Sequence, residues 1–427
     1  MPSRPLSPPA ASAWRSRRRT VLALVLAAVI LIPAARIYRA QRGAAGGARE
    51  SAAVSVKTAS GPASKAASAS AAPPPEARPE SAARAGVDAS NFYKDAFVLY
   101  DKLTEEEQNM FWWPPEKTDA EQKAALFKKI QPILELLRQG ADADYCEWGL
   151  GSLTIDTNLS HLGRSAVLGK LAVWSANYRF PSDPQGALGD LKAQARLAAH
   201  LVDSEVGWAI QMTMERRGNE VLRENADLLD EAGLSQAQEL LRSSTVEQNM
   251  KRAFTANAAS YDFTAQKISA LTPSERGEYL LNSLSGRPAS EALKQLFQNE
   301  TALSAELHYF QQMDMEMAEA MLWPEAEYQA WWSRVKSSLP DHPMAEEWYP
   351  TQRADPPMYE RHQQSQVERA LLDAGLTLLQ GGPAQRAQFR DPVGGAAFSY
   401  VEKPDGFELQ SAFKKNGKPV TMSFTRR

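Results

Sequence analysis

An uncharged, mostly aliphatic run at Thr20–Ala35 constrains this chain more than any other feature, because arginines bracket it on both sides. As a helix rising about 1.5 Å per residue, it would span about 24 Å of a hydrocarbon core roughly 30 Å thick. Ile37 and Tyr38 extend the run. The sequence therefore predicts a transmembrane helix at residues 20–38, after a basic cytoplasmic leader at residues 1–19.

Two interpretations of this run remain open, an uncleaved signal-anchor and a cleaved signal peptide. Arg36 and Arg39 follow the apolar core closely, and no A-x-A cleavage site lies there. Both observations favour the anchor. The denser positive cluster lies on the N-terminal side, which predicts a single-pass protein whose C-terminal body is outside the cytoplasm, in the periplasm.

Residues 39–86 consist mainly of Ala, Ser, Gly and Pro. Such a segment has too few large apolar side chains to offset the entropy of ordering, so we expect a disordered linker. Its prolines at 73–75 favour locally extended backbone. The linker would hold the body away from the bilayer.

Charge divides the chain into a basic leader and an acidic body. Residues 1–85 carry 13 Lys and Arg against 3 Asp and Glu, a balance of +10, so the whole-chain charge of −3 leaves −13 for the remainder. An acidic body is a poor partner for nucleic acid. Cys146 is the single cysteine, which excludes an internal disulfide.

The pattern predicts a mainly α-helical, hairpin-rich body at residues 87–385. Phe92, Tyr93 and Phe97 recur at helical spacing, and Thr104 and Thr272 each begin a T-x-x-E capping box. A helix after Thr118 is expected to end at Gly140. Further helices are predicted at Leu159–Tyr178, Pro184–Val202, Val206–Ala232, Ser235–Ser243, Val246–Asn257, Thr264–Leu271, Pro273–Leu284, Glu291–Met321 with a possible break, Pro324–Ser338 and Met358–Leu379.

Residues 386–427 change to short alternating runs at Ala397–Glu402, Phe407–Phe413 and Val420–Phe424. Pro404-Asp405-Gly406 and Asn416-Gly417 separate them and are strong turn signals. The sequence predicts a small antiparallel β meander that packs on a helix.

One segment is similar to a tetratricopeptide-type helical hairpin, with Ser182-Asp183-Pro184 at its corner. A self-stacking array needs about three or more such repeats, so this single copy predicts an α-hairpin and no superhelix. The positions that match the apolar pattern of the repeat are Leu171, Trp174, Tyr178, Ala187 and Leu191.

The body also resembles a group of uncharacterised bacterial membrane-anchored envelope proteins. These proteins open on an N-x-Y-x-x-A-F-type segment, here Asn91 to Phe97, and end on a D-P-x-G strand segment. Major pseudopilins end similarly, but this chain lacks their leader. The resemblance implies an architecture and no activity. The closing residues are Asp391, Pro392, Gly394, Phe398, Tyr400, Asp405, Gly406, Phe407, Leu409 and Ser411.

No pattern in the chain predicts a cofactor, a bound metal or a known catalytic motif. The histidines have no metal-ligand spacing, and neither G-x-S-x-G nor a phosphate-binding glycine loop is present. Met313, Met317 and Met321 lie at i, i+4 and i+8, a spacing typical of helix packing that also leaves soft-metal binding as an alternative.

Paired aromatic residues are the candidate binding residues. The tryptophan pairs Trp112-Trp113 and Trp331-Trp332 could stack sugars or line a groove, and core anchoring is the alternative. Trp174 and Tyr178 in the hairpin are the other candidate binding residues. We therefore expect a non-catalytic, membrane-anchored envelope protein whose body binds or scaffolds a protein, peptide or cell-wall glycan.

Two alternatives stay open. One is an envelope hydrolase that uses acid–base catalysis by a pair such as Glu300 with Glu306 or His308. The other is a purely mechanical spacer in a membrane complex.

Overall fold

The computed structural model describes residues 86–111, 119–150, 153–154, 157, 159–283, 289–348 and 357–426. The predicted anchor at residues 20–38 and nearly all of the predicted linker lie outside this part of the chain. No helix within the described ranges combines the length and the apolar composition that crossing a bilayer requires.

The described residues form a mainly α-helical body that ends in a small antiparallel sheet, as predicted. The first helices are α1 Ala89–Tyr100, α2 Glu105–Met110, α3 Ala120–Asp142, α4 Ser160–Arg179, α5 Pro184–Ala199, α6 Glu205–Glu224 and α7 Glu231–Arg242. The later ones are α8 Val246–Ser269, α9 Pro273–Ser283, α10 Glu291–Gln298, α11 Glu300–Ala320, α12 Glu325–Ser338, α13 Pro343–Trp348 and α14 Pro357–Gly381. Short 3₁₀ turns are Ala226–Leu228, Leu339–Asp341 and Pro383–Gln388.

Three hydrophobic clusters hold the body together. One packs α1 and α3 against α4–α6, around Tyr93 and Ile130. A second lies between α8, α11 and α12, around Phe254 and Trp332. A third joins the ends of α4–α7 to α14 and the sheet, around Leu371. Each cluster is built from several helices, so the stability of the body is shared among contacts distant in sequence.

The capping boxes predicted at Thr104 and Thr272 are present. Thr104 and Glu107 form a reciprocal capping box at α2, and Thr272 hydrogen-bonds with Glu275 through both its backbone and its side chain. Each box satisfies amide donors that the first helical turn leaves without partners.

Helix boundaries were wrong where a single side chain ends or restarts a helix. Val206–Ala232 was predicted as one helix, but α6 ends at Glu224, where the Asn225 side-chain amide donates to the Val221 carbonyl. Asp230 then caps α7 by accepting from the Gly233 amide at 2.8 Å. Polar side chains that bond to their own backbone compete with helix continuation.

Two further boundaries differ. Val246–Asn257 and Thr264–Leu271 form the single helix α8, because Ala258 and Tyr261 continue its buried stripe. Gly140 does not end α3; it is buried inside the helix, where an added Cβ would lie 2.4 Å from the Tyr93 ring.

The possible break in the predicted helix Glu291–Met321 is confirmed. It falls at Asn299, whose side chain accepts from the Ala302 amide at 3.1 Å and caps α11.

The C-terminal meander is confirmed, with β1 Ser399–Lys403, β2 Gly406–Lys415 and β3 Lys418–Thr425 in the order β1-β2-β3. Asn416 and Gly417 both have positive φ, as the tight turn between β2 and β3 requires. The sheet packs on α14, where the Phe424 ring lies over Gly375 so closely that an added Cβ would meet it at 1.9 Å.

The D-P-x-G segment ties this sheet to the chain that precedes it. The buried Asp391 carboxylate accepts from the Val393 amide, the Ser411 hydroxyl and the Ala412 amide at 3.0, 2.7 and 2.6 Å. Ser411 and Ala412 lie where the register of β2 shifts. The D-P-x-G segment therefore has a structural role: its Asp391 carboxylate accepts hydrogen bonds from donors in the irregular part of β2.

Candidate functional site

An accessible row of aromatic rings lies across α3 and α4. Trp174 and Tyr178, one helical turn apart on α4, have ring centroids 5.7 Å apart and planes within 5° of parallel. Phe127 from α3 lies against Tyr178 at 4.7 Å. We call Phe127, Trp174 and Tyr178 the aromatic platform. Phe111, at the end of α2, supports it with its ring edge-on to Trp174 at 5.6 Å.

The platform is only partly covered. Tyr178 is 37% exposed, and the other two rings are half-buried. Although the α4–α5 hairpin forms as predicted, with its corner capped by Asp183, these two α4 aromatics do not fill its interior. The hairpin interior is instead formed by smaller and aliphatic residues such as Leu171 and Ala187.

A buried ionic cluster beneath the platform fixes α3, α4 and α5 relative to one another. The Asp190 carboxylate accepts from Arg138 Nε and Nη2 at 3.1 and 2.5 Å and from the Ser175 hydroxyl at 2.6 Å. Burial raises the pKa of Asp190, while Ser175, Arg138 and Arg179 act in the opposite direction. A buried carboxylate with this many donors is well satisfied, so its geometry is sharply defined.

Arg179 connects the cluster to the platform. Its guanidinium lies 5.2 Å from the centre of the Phe127 ring and donates to Asp183 and Gln131 at 2.6 and 3.2 Å. The side chain is only 16% exposed. Arg179 therefore packs over the Phe127 ring, and this cation–π contact restricts how the ring can turn.

Rigid aromatic faces beside hydrogen-bonded polar groups suit ligands with a flat apolar side, such as sugar rings. Such faces contribute contact area at low entropic cost because few side-chain torsions must be restrained on binding. The platform holds its rings before any ligand arrives. This arrangement can bind a ligand and offers no nucleophile or paired acid and base.

Trp331 and Trp332 do not join the platform. They are 2% and 0% exposed, in the core around α12. Trp331 Nε1 donates to Glu316 at 2.8 Å, so its polar edge is also satisfied. A ligand from solution cannot reach these rings, and core anchoring is the role that the structure gives them. The other predicted pair, Trp112 and Trp113, lies outside the described residues.

The acid–base group considered from sequence is dispersed. Glu300 pairs with Arg276, and His308 is exposed and hydrogen-bonds to glutamines on its own helix. Glu306 instead accepts from His342 Nδ1 at 2.7 Å. Glu300, Glu306 and His308 therefore do not converge on one cleft.

The other sequence candidates lie in packed surroundings. Met313, Met317 and Met321 are buried in the core as one stripe. His161 and His200 both meet Trp148, His161 by ring contact at 4.7 Å and His200 through its carbonyl at 2.8 Å. Burial raises the pKa of the Cys146 thiol to about 12, with Asp88 and Asp203 adding to the effect. A thiol that resists ionisation is a poor nucleophile.

Within the described ranges, no group of three or more His, Cys, Asp or Glu side chains is arranged to hold a metal ion.

Sequence reasoning missed Phe127, Arg179 and Asp190. Phe127 recurs at helical spacing with the buried Ile130, Leu134 and Leu137, and no local pattern distinguishes a half-exposed ring from a buried one. Asp190 had a usable signal, since it falls three residues after Ala187 on the inward face of α5. A carboxylate at such a position requires a cationic partner, and Arg138 on α3 is that partner.

Comparison with known proteins adds no family, since the chain matches no protein family, no curated protein and no solved structure.

Proposed function

We propose that this protein is a non-catalytic binding module of the bacterial envelope. A helix at residues 20–38 anchors it, the linker at 39–86 extends it, and the body lies in the periplasm. The single observation that carries the binding role is the rigid, accessible row of rings formed by Phe127, Trp174 and Tyr178.

A cell-wall glycan is the ligand that the platform fits best. The exposed part of three aromatic side chains, roughly a third of 150–250 Å² each, is less than about 300 Å². A stable protein interface needs about 800 Å² from each partner. The net charge of −13 on the body, counted above, also disfavours an anionic ligand. Neutral sugar rings suit both the small exposed aromatic area and the negative charge of the body.

Titration of the full-length protein in detergent with N-acetylglucosamine oligosaccharides, followed by calorimetry, tests this role. Tyr178→Ala removes a ring face and should weaken binding at least about 10-fold, equivalent to about 1.4 kcal/mol. Tyr178→Phe keeps the ring and should bind within about twofold of the wild type, a difference of about 0.4 kcal/mol. Equal affinity of the alanine variant and the wild type would refute the platform as the site.

The anchor is tested separately. Alkaline carbonate extraction should leave the full-length protein in the membrane fraction, and protease added to spheroplasts should degrade the body. Release by carbonate, or protection from protease, would contradict the proposed location without bearing on the platform.

Hydrolysis is the second candidate function, favoured by one pair. Glu306 binds His342 Nδ1 and leaves Nε2 for proton transfer, while the Tyr309 ring stacks on the imidazole at 3.5 Å. Glu306 also accepts from the Met344 amide at 3.0 Å, which caps α13. Release of soluble fragments from peptidoglycan by the wild type, and not by His342→Gln, would support hydrolysis over simple binding.

A further inference from the structure

Strand β3 is at an edge of the three-stranded sheet, because the order is β1-β2-β3. One side of its backbone bonds to β2. The other side faces the end of α6.

The hydrogen-bond phase of β3 determines which residues face outward. Arg426 donates its amide to the Asp405 carbonyl across the strand pair at 2.8 Å. In an antiparallel pair, bonded and non-bonded positions alternate. Counting back from Arg426 in the observed register, the positions whose amides and carbonyls point away from β2 are Thr421, Ser423 and Thr425.

Pro419 supports this phase independently. Pro419 lies two residues before Thr421, so its backbone nitrogen points outward as well, away from β2. Proline has no amide proton there, and β2 needs none at that position. Prolines in sheets are confined to positions where the ladder needs no donor. Pro419 and Lys418 also protect that end of the edge against pairing.

The next stretch, Thr421–Thr425, has no such protection. Its residues, TMSFT, carry no charge and no proline, and they favour β structure. Natural proteins usually block an open edge of this composition with Lys, Pro or a bulge. The stretch spans about 13 Å, enough for a short incoming strand.

A cleft of about 360 Å³ runs beside this edge. Thr421, Ser423 and Thr425 line one side, and Arg223 and Glu224 are on the other. Arg223 pairs with Glu224 at 3.0 Å, and Ala226 and Asp227 complete that wall. The outward-facing amides and carbonyls of Thr421, Ser423 and Thr425 on the other wall match the main chain of an extended polypeptide.

We propose that the edge of β3 accepts an extended peptide segment of another protein as a fourth strand of the sheet. Every second residue of β3 presents an amide and a carbonyl to the open edge, and another strand can pair with these groups. In such strand addition, main-chain hydrogen bonds supply the affinity. Alternate side chains of the peptide would lie beside the exposed hydroxyl row of Thr421, Ser423 and Thr425. A peptide of alternating Thr and Val is the matching composition.

Fluorescence anisotropy of a labelled Thr-Val repeat peptide, flanked by Lys, tests the proposal on the full-length protein in detergent. Ser423→Pro removes the outward amide donor and should weaken binding at least about 10-fold. Ser423→Ala is the matched control, because it loses the same hydroxyl contacts with Glu408 and Lys403 but keeps the amide. It should bind within about twofold of the wild type.

If Ser423→Pro fails to fold, the peptide can be changed instead of the protein. In this second test, the backbone amides of the peptide that face β3 are N-methylated and can no longer donate hydrogen bonds. This methylated peptide should not bind the wild type, whereas methylation in the opposite phase should be tolerated. Equal binding of both methylated peptides, or of the proline and alanine variants, would overturn the proposal. A concentration-dependent dimer that Ser423→Pro abolishes, with no peptide binding, would assign the edge to a second copy of the chain instead. A glycan that competes for the edge would also overturn it.

Discussion

His362 on α14 is fully buried, and neither ring nitrogen has a hydrogen-bond partner among the described residues. Its ring lies 5.6 Å from that of Trp208. Burial lowers the pKa of His362 to about 4; the charge of Glu247 raises it and that of Arg369 lowers it. The folded protein therefore holds this imidazole neutral where an unfolded chain would protonate it.

This difference predicts how stability falls with acid. The folded pKa lies below the unfolded value of about 6.5, so the penalty is absent above pH 6.5 and grows as the pH falls toward 4. The expected loss of unfolding free energy is about 2 kcal/mol at pH 5 and about 3.4 kcal/mol at its limit below pH 4. His362→Leu should remove this dependence and should not destabilise the protein at pH 8, because two unsatisfied polar atoms are replaced by an apolar group of similar size.

Urea denaturation of the full-length protein between pH 8 and pH 4.5, followed by tryptophan fluorescence, measures the effect. The acid slope of the variant should be shallower but not flat, because burial also lowers the pKa of His200 to about 4. Exposed His308 is the matched control, and His308→Gln should leave the slope unchanged. An identical slope in His362→Leu and the wild type would refute the reasoning, since it would mean that His362 gains its proton in the folded state.

Two substitutions test the packing that positions the sheet and the platform. Gly375→Val puts a side chain where the Phe424 ring lies and should lower the free energy of unfolding by about 1–3 kcal/mol, measured by urea denaturation. Asp190→Ala leaves Arg138 and Arg179 without their buried partner; we expect a loss of about 2–4 kcal/mol and weaker oligosaccharide binding. A change below about 0.5 kcal/mol in either variant, the range of ordinary surface substitutions, would contradict the corresponding contact.

The sequence predicted the fold class well where periodicity and turn chemistry agree. Asn416-Gly417 and the flanking alternation placed the β2–β3 hairpin, and Thr104 placed the start of α2. Boundaries failed where a side chain bonds to the local backbone, as Asn225 does at the end of α6. That competition between helix and cap depends on tertiary packing and has no fixed sequence signature.

The candidate site was only half predictable. Trp174, Tyr178, Trp331 and Trp332 looked equivalent in sequence, since each is a large aromatic residue on a helix. Only tertiary packing separates the accessible pair from the buried pair, because burial depends on which helix covers a given face. The ionic support from Asp190 depends on residues distant in sequence, so spacing alone could not identify it.

Co-sedimentation of the detergent-solubilised full-length protein with insoluble peptidoglycan tests the central proposal most directly. We expect that the wild type sediments with the cell wall, that a soluble N-acetylglucosamine oligosaccharide releases it, and that Tyr178→Ala remains in the supernatant. Equal sedimentation of Tyr178→Ala and the wild type, or no sedimentation of either, would contradict the assignment of the aromatic platform as a glycan-binding surface.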